Sequence, residues 1–365
     1  MIEILKAGTL TTIQDSGRTG YQELGVPETG AMDKFSFRCA NLLIGNHENA
    51  PAMEAVLFGP EVKFSDDSFI AITGGDLSPT IDGTKVNLWE TLPVSAGSIL
   101  SFTGPTGNGI RSYISISGGF SGDKIRSVMG SYSTYLPGGF GGNEGRALNE
   151  GDVLHTGMAE KKFEGGLFLE NPPHFGDDET LRIIPGPQDG MFAPATLQTL
   201  ISSSYEITPN SDRMGCRLDG PILEHLDGPD VISDGTAFGV IQVPGDGKPI
   251  ILLSDRGTTG GYTKIATVIS ADRSKLAQLA PGESVNFEVV NQEKAVNLLK
   301  EQERLLSSLS AYGGVPLNIK VNGVSVDIVD DDNQLAIGIN MEHSTYKTVV
   351  SDGHKDHQIE LEISE

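Results

Sequence analysis

The stretch "GVIQVPGDGKPIILLSDRGTTGGYTK", Gly239 to Lys264, decides the fold. Two short runs rich in β-branched residues flank a Pro-Gly-Asp-Gly turn, and a glycine-rich loop follows. Apolar runs this short, bounded by turn residues, are typical of β-strands. The loop is not a P-loop, which needs G-x-x-x-x-G-K-[ST], because the fifth residue after Gly257 is Tyr262. The stretch therefore indicates two paired strands followed by a polar loop. The function of this loop is not phosphate binding of the P-loop type.

The same pattern recurs along the chain, in "EVKFSD", "FIAITGG", "SILSF", "SYISISGG" and "LRIIPG". The 46 glycines and 19 prolines place turn signals at close intervals, which favours barrels or sandwiches over βαβ units. Helical spacing of apolar residues occurs in three places. It predicts helices from Asp33 to Gly45, from Asp272 to Leu279, and from Asn291 as N-cap to Gly313 as terminator.

Two corresponding stretches indicate an internal duplication. "GNGIRSYISISGGF" and "GDGKPIILLSDRGTTGGY" both end an apolar strand in Gly-Gly-aromatic, and "EGDVLH" and "PGESVNF" follow them. Gly, Pro and acidic residues replace the strand pattern between 160 and 180. We therefore predict a mainly β protein with a first β domain over 1–165, a second β domain over 178–313 with a closing helix, and a C-terminal β extension over 314–365; each β domain would be a barrel or a sandwich.

The formal charge of −23 makes nucleic acid or an anionic membrane an unfavourable partner. The N-terminus does not resemble a signal peptide, and no apolar run reaches the ~20 residues of a membrane span. We expect a cytoplasmic location. The two cysteines, Cys39 and Cys216, show no metal-ligand spacing, so no metal is predicted. Cys216 is interpreted as a buried strand residue.

Three glycine-rich stretches carry dense polar groups, and each places a carboxylate next to an arginine. They span residues 11–33, 211–221 and 253–264. A site that holds a small amide or acid and polarises its carbonyl needs backbone N–H groups, a planar guanidinium and a carboxylate base. The three stretches contain all of these groups. The alternative is that these pairs brace tight turns. No histidine lies in the three stretches, which disfavours a catalytic triad.

Taken in order, "TTIQDSGRTGYQELGVPETGAMD", "ANLLIGN", "IPGPQD", "SDRMGCRL" and the stretch from Gly239 to "LAPGE" resemble the allophanate hydrolase subunit 2 family. That family includes the KipA-like C subunit of bacterial 5-oxoprolinase and part of the carboxyltransferase region of urea carboxylases. The resemblance covers about residues 1 to 300. Gly257 and Thr263 depart from the family pattern, which commonly has Gln and Pro there.

The resemblance implies two tandem cyclophilin-like β-barrels and an enzyme complex. A KipI-like subunit 1, and in 5-oxoprolinase a third, LamB/YcsF-like chain, would open 5-oxoproline to glutamate using ATP. The related urea enzymes transfer a carboxyl group from carboxybiotin. This sequence has no Met-Lys dipeptide for covalent biotin, and with no P-loop the ATP site is expected on, or shared with, another subunit.

We assign Asp15 or Asp255 as the base, and Arg18, Arg213 and Arg217 as ligands of a carboxylate or phosphorylated intermediate. Gly260 and Gly261 would offer N–H donors. The full set of candidate substrate-binding residues is Gln14, Arg18, Asp33, Arg213, Arg217, Thr258, Thr259, Gly260, Gly261 and Tyr262. Three alternatives stay open: carboxyl transfer to a urea-like amide, a KipA-like regulatory module without turnover, and a stand-alone binding protein for a small acid.

Overall fold

A computed structural model describes residues 1–157, 166–176 and 178–312, and beyond these the backbone of four further strands. Strands make up 36% of the chain and helices 17%, which confirms the mainly β prediction. Among the helices of the described residues, none combines the length and apolarity needed to cross a membrane.

Two facing sheets form the first half of the chain. One has seven strands in the order β11-β12-β1-β4-β9-β6-β7, and the other has five in the order β2-β3-β10-β5-β8. The twelve strands are β1 (Ile2–Lys6), β2 (Leu10–Gln14), β3 (Ala52–Val56), β4 (Glu61–Phe64), β5 (Ser68–Gly74), β6 (Pro79–Ile81), β7 (Thr84–Lys85), β8 (Thr91–Val94), β9 (Ile99–Phe102), β10 (Arg111–Ile116), β11 (Phe120–Ser121) and β12 (Val153–Thr156).

Apolar residues of both sheets share one core. Ile2 and Ile4 are buried whereas Glu3 between them is exposed, as the alternation along a half-buried strand requires. Ile13, Leu100 and other buried side chains complete this cluster. The core therefore holds the two sheets face to face.

The second half contains a closed seven-stranded barrel, in the order β13-β20-β14-β15-β18-β17-β19 and back to β13. β16 lies outside the closed ring and pairs with β19. The strands are β13 (Asp178–Pro185), β14 (Tyr205–Ile207), β15 (Gly215–Asp219), β16 (Asp230–Gly235), β17 (Val240–Val243), β18 (Ile250–Leu252), β19 (Thr259–Val268) and β20 (Ser284–Val289). Only β13 and β20 are parallel among the pairs of this barrel.

Within the described residues, four α-helices accompany the strands: α1 (Lys34–Leu42), α2 (Pro194–Ser202), α3 (Arg273–Gln278) and α4 (Gln292–Tyr312). Both predicted caps are confirmed, because Asp33 Oδ1 accepts from Ser36 N at 3.0 Å and Asn291 Oδ1 accepts from Lys294 N at 2.8 Å. Asp272 precedes α3 but does not cap it. Gly313, the predicted terminator of α4, lies outside the described residues.

Asp272 is instead bonded to Arg182 on β13, both through the guanidinium and through the Arg182 backbone N–H at 2.7 Å. The carboxylate is therefore used to attach α3 to the barrel. The helix begins directly after Asp272, as the sequence predicts, and the carboxylate oxygens bond this tertiary partner instead of the first turn of the helix. The sequence patterns do not predict α2, which begins with a proline at its first turn.

Helices α1 and α4 join the two halves. α4 contacts both α1 and the turn at residues 270–272, and Leu306 and Leu309 are buried with Phe35, Leu42 and Trp89. The strands of the first two sheets end at Thr156 and those of the barrel begin at Asp178. The domain limits at 165 and 178 stay a prediction.

The C-terminal extension contains a four-stranded sheet in the order β22-β21-β24-β23. Its strands are β21 (Asn318–Val321), β22 (Val324–Ser325), β23 (Thr345–Ser351) and β24 (Asp356–Ser364). β21 and β22 are antiparallel and adjacent in sequence.

Ile265 and Ile232 provide a matched test of the barrel core. Ile265 on β19 is fully buried in the barrel, whereas Ile232 on β16 is 94% exposed. We predict that Ile265→Ala lowers the free energy of unfolding by about 2–5 kcal/mol, because it leaves a cavity. Ile232→Ala should change it by no more than about 0.5 kcal/mol. Urea denaturation followed by circular dichroism measures both, and equal effects would contradict the barrel assignment.

Candidate functional site

Asp15 ties the loop after β2 to a second loop of the first half. Its Oδ1 accepts from Gly17 N at 2.8 Å and from Ser131 Oγ at 2.6 Å, and its Oδ2 accepts from Tyr132 N at 2.6 Å. The side chain is buried. Three donors thus hold this carboxylate in place, which makes it a brace of the loop; its catalytic role stays a prediction.

Arg18 lies in the same loop and is only 1% exposed. Nη1 donates to Thr29 Oγ1 and Nη2 to the Ser133 carbonyl, both at 2.6 Å, and the guanidinium lies 4.9 Å from the Phe140 ring centroid. Burial lowers the pKa of Arg18, while Asp15 and Asp255 act in the opposite direction. Its terminal nitrogens are already engaged by neutral oxygens of the protein.

Gln14, next to Asp15, is also buried. Its Nε2 donates to Thr12 Oγ1 at 2.9 Å and to the Thr134 carbonyl at 3.3 Å, whereas its Oε1 has no partner among the described residues. The 14–18 segment is therefore a polar network built mainly from internal contacts.

Arg213 connects the two halves of the protein. Its Nη1 lies 2.5 Å from Glu54 Oε1 on β3, and its Nε and Nη2 donate to Asp255 at 2.9 and 3.1 Å. Nη2 also donates to the Gly30 carbonyl at 2.6 Å. Burial alone would lower the pKa of Arg213, but Glu54 and Asp255 raise it above its ordinary value. The guanidinium is therefore a permanent cation between two buried carboxylates.

The network continues from Glu54 to the helices. Glu54 Oε2 accepts from Tyr113 OH at 2.8 Å, and Tyr113 OH in turn accepts from Asp33 N at 2.7 Å. Asp33 Oδ2 then accepts from Gln278 Nε2, at the end of α3, at 2.9 Å. Burial, together with Glu54, raises the pKa of Tyr113 well above its usual range, so the phenol stays a donor. Sequence analysis missed Glu54, Tyr113 and Gln278, which lie outside the glycine-rich stretches.

The remaining candidates lie at the outer edge of the barrel. Thr259, Gly260 and Tyr262 pair with β16, and Tyr262 is exposed. The Thr258 carbonyl accepts from Thr236 N at 3.1 Å. Arg217 lies on the exposed side of β15 and is not brought together with Arg213. The structure thus separates the predicted set into an interior network and a barrel edge.

Lys264, two residues beyond Tyr262, is a buried lysine of the barrel. It is 2% exposed, and its Nζ has no hydrogen-bond partner among the described residues. The nearest carboxylate oxygen is Asp234 Oδ2 at 3.6 Å, and Asp234 itself is largely exposed. A buried ammonium is costly unless it is paired and hydrogen-bonded. Lys264 therefore has an unused donor in a place where the fold does not need one.

Gln242 lies opposite Lys264 in the β17–β19 pair, and its buried Nε2 also lacks a partner among the described residues. Directly opposed residues of an antiparallel pair project to the same face. A Cβ at position 260 would lie 2.4 Å from Gln242 Nε2, so Gly260 is needed to make room for the amide. Two buried donors without an acceptor among the described residues are therefore placed on opposed residues of the β17–β19 pair, in the middle of β19.

The backbone of Lys264 is held by Gln188 of the "IPGPQD" motif. Lys264 N donates to Gln188 Oε1 at 3.2 Å, and Gln188 N donates to the Lys264 carbonyl at 3.3 Å. We call Lys264, Gln242 and Gly260, with Gln188 behind them, the amide site. The motif and the lysine after Gly-Gly-Tyr were visible in the sequence, but the cross-strand partner was not.

No cluster of three or more His, Cys, Asp or Glu side chains able to hold a metal occurs within the part of the chain that the structure describes.

Comparisons with known proteins identify the family to which this chain is similar. Residues 24–289 match the model described as "Carboxyltransferase domain, subdomain A and B". The chain is 37% identical to the C subunit of the Escherichia coli 5-oxoprolinase and 36% identical to that of Haemophilus influenzae, each over 310 residues. These alignments cover 85% of this chain and 98% and 97% of the relatives.

A solved structure agrees with the sequence comparison. The crystal structure of the K. lactis urea amidolyase matches with a TM-score of 0.77 and 30% identity, over 86% of this chain and 20% of that much longer one. The chain therefore belongs to the family of carboxyltransferase domains built from subdomains A and B.

Arg213 and Arg217 allow a test of the link between the halves. We predict that Arg213→Met lowers the free energy of unfolding by about 3–5 kcal/mol, because Glu54 and Asp255 are left buried without a cation. Arg217→Met, on the exposed side of β15, should change it by no more than about 0.5 kcal/mol. Chemical denaturation of both variants measures the difference, and a stable Arg213→Met protein would contradict the role of the ion pair.

Proposed function

We propose that this chain is a subunit of a multi-chain, ATP-dependent 5-oxoprolinase that opens 5-oxo-L-proline to L-glutamate. The near full-length similarity to two proteins named as the C subunit of 5-oxoprolinase supports this function. The partners would be a KipI-like subunit 1 and a LamB/YcsF-like third subunit. Because the sequence has no P-loop, ATP is assigned to a site on, or shared with, another subunit.

The observation that carries the proposal is the pair of unused donors in the amide site. Lys264 Nζ and Gln242 Nε2 are buried and lack an acceptor among the described residues. The carbonyl oxygen of a lactam accepts two hydrogen bonds and gains negative charge when water adds to the carbon. Donors already in place where that charge develops, away from bulk water, stabilise the intermediate.

The reaction then requires cleavage of the C–N bond and transfer of a proton to the departing nitrogen, which yields the amine and the new carboxylate of glutamate. Asp15 and Asp255 are the bases that the sequence predicts. Asp255 is bonded to Arg213 and Asp15 to three donors, so both would have to exchange an internal partner to act on substrate. Asp234, 3.6 Å from Lys264 and 63% exposed, is the carboxylate nearest to the amide site.

A second candidate function is carboxyl transfer to a urea-like amide, with carboxybiotin on another chain. The description of the family as a carboxyltransferase domain favours it. The same two donors would hold the oxygen of the acceptor amide, because both substrates contain an N–C=O unit. A non-catalytic, KipA-like regulatory module is the third possibility and would bind its partner without turnover.

Reconstitution of the complex distinguishes these functions. We expect ATP-dependent formation of glutamate from 5-oxoproline when this chain is co-expressed with its subunit 1 and third-chain partners, and none from this chain alone. The measurement is glutamate release coupled to an ATPase assay. Stable assembly without glutamate would contradict the 5-oxoprolinase function, and carboxylation of urea by the same complex with a biotin carrier would favour the second candidate.

Lys264→Met separates activity from stability. We predict a loss of about 10²–10³-fold in kcat in the assembled complex, as for removal of an oxyanion-stabilising donor. The thermal midpoint should be unchanged or higher, because an incompletely paired charge leaves the protein interior. The control is Lys248→Met, since Lys248 is half-exposed and, among the described residues, forms its ion pair with the exposed Asp219. Normal turnover of a folded Lys264→Met complex would rule out the amide site.

A further inference from the structure

A second polar feature lies apart from the amide site. A cleft of about 270 Å³ is found where the first half, the barrel and α4 meet. Met32, Phe35, Phe238, Leu299 and Leu306 provide its apolar lining. Neither Lys264 nor Gln242 belongs to it. We call this space the α4 cleft.

The positively charged side chains around the α4 cleft outnumber the negatively charged ones. Four cations, Lys34, Arg38, Arg256 and Arg273, face three carboxylates, Glu28, Glu48 and Glu303. This leaves one positive charge in a chain whose formal charge is −23. The cleft is therefore a local exception to the acidity of the protein, and the pairing of each cation shows where the excess lies.

All three guanidinium nitrogens of Arg38 donate to carboxylates. Its Nε and Nη2 donate to Glu48 Oε2 at 2.9 and 2.7 Å, and its Nη1 and Nη2 donate to the two oxygens of Glu303 on α4 at 2.6 and 2.8 Å. Two carboxylates therefore satisfy one guanidinium, and this group attaches α4 to α1. Arg38 is not available to a ligand.

Glu28, by contrast, is shared by two cations. Lys34 Nζ lies 3.4 Å and Arg256 Nη2 lies 3.2 Å from its two oxygens. Arg256 is more than nine-tenths buried, and its Nε has no acceptor among the described residues. Its charge is therefore only partly compensated.

Arg273 has no carboxylate within 4 Å in the described part of the chain. Its Nη2 donates to the Phe238 carbonyl at 3.0 Å, and its guanidinium lies 5.1 Å from the centroid of the Phe238 ring. Its Nε is buried without an acceptor among the described residues. Burial lowers the pKa of Arg273, Glu28 acts against this, and the neighbouring Arg256 adds to it. A bound anion would relieve both the repulsion and the missing acceptor.

We propose that the α4 cleft binds the carboxylate of a compact organic acid. Arg273 and Arg256 would provide the guanidinium donors, since a planar fork suits a carboxylate. Ser270 and Ser274, which also line the cleft, would add hydroxyl groups, and the hydrocarbon part of the acid would lie against the apolar lining. The volume is below the ~300–1,000 Å³ typical of sites for drug-sized ligands, which favours a small acid. The isolated chain should bind it without turnover.

The test uses probes without an N–C=O group, so that they do not report on the amide site. Isothermal titration calorimetry of the full chain at low ionic strength would compare cyclopentanecarboxylate, its neutral analogue cyclopentylmethanol, and inorganic phosphate. We expect the carboxylate to bind, with the alcohol at least tenfold weaker and phosphate not preferred. No binding of the carboxylate, equal binding of the alcohol, or a preference for phosphate would each overturn the proposal.

Variants identify the site. Arg273→Met should weaken carboxylate binding at least tenfold, and Arg273→Lys, which keeps the charge without the planar fork, should weaken it less. Arg126→Met, at an exposed arginine of the first half, is the matched control and should bind as the wild type does. Lys264→Met should also keep its affinity for the probe, so failure of the amide site and failure of the α4 cleft are separate results. Unchanged binding by the folded Arg273 variants would overturn the proposal.

Discussion

The ion pair of Arg213 with Glu54 and Asp255 is the interaction on which the arrangement of the two halves depends. Glu54 belongs to a strand of the first half, and Arg213 and Asp255 belong to loops of the barrel. Charges buried this completely are tolerated only when every one has its partner in good geometry. The pair therefore acts as a specific contact, because only one relative placement of the halves brings all three groups together.

Two other features rely on that placement. The segment from Leu253 to Lys264 contains Asp255, contributes Arg256 to the α4 cleft, and ends at Lys264 in the amide site. Fixing Asp255 therefore fixes the start of a segment that reaches both proposed sites. The polar groups of the protein accordingly fall into two kinds. Those of Asp15, Arg18, Asp33 and Arg213 are largely satisfied inside the fold, whereas Lys264, Gln242 and Arg273 keep donors that have no acceptor in the part of the chain that the structure describes.

Features that depend on local sequence patterns could be predicted from the sequence, whereas features that depend on distant partners could not. Strands, the mainly β class and the caps at Asp33 and Asn291 depend on local patterns, and the structure contains them. Helix α2 was missed because "PATLQTLIS" has few helix-start signals beyond its proline. The role of the Asp272 carboxylate could not be predicted, because its partner, Arg182, lies 90 residues away in sequence.

The candidate site was harder to predict, for a physical reason. Glycine-rich loops with adjacent charges were visible, but a sequence does not show whether a charged group is satisfied. Glu54 is the one charged residue in the apolar stretch "AMEAV", and Lys264 follows the glycine-rich loop, so no local pattern singles either of them out. Only strand register, which places Glu54 opposite Tyr113 and Gln242 opposite Lys264, distinguishes the internal network from the unused donors.

The most direct test of the account is the position of the lactam in the assembled complex. A crystal structure with bound 5-oxo-L-proline, trapped without ATP, would show which groups contact the carbonyl oxygen. The account predicts that this oxygen lies about 2.7–3.1 Å from both Lys264 Nζ and Gln242 Nε2, as a preorganised donor pair requires. A lactam bound elsewhere, with Lys264 and Gln242 still lacking an acceptor, would contradict it.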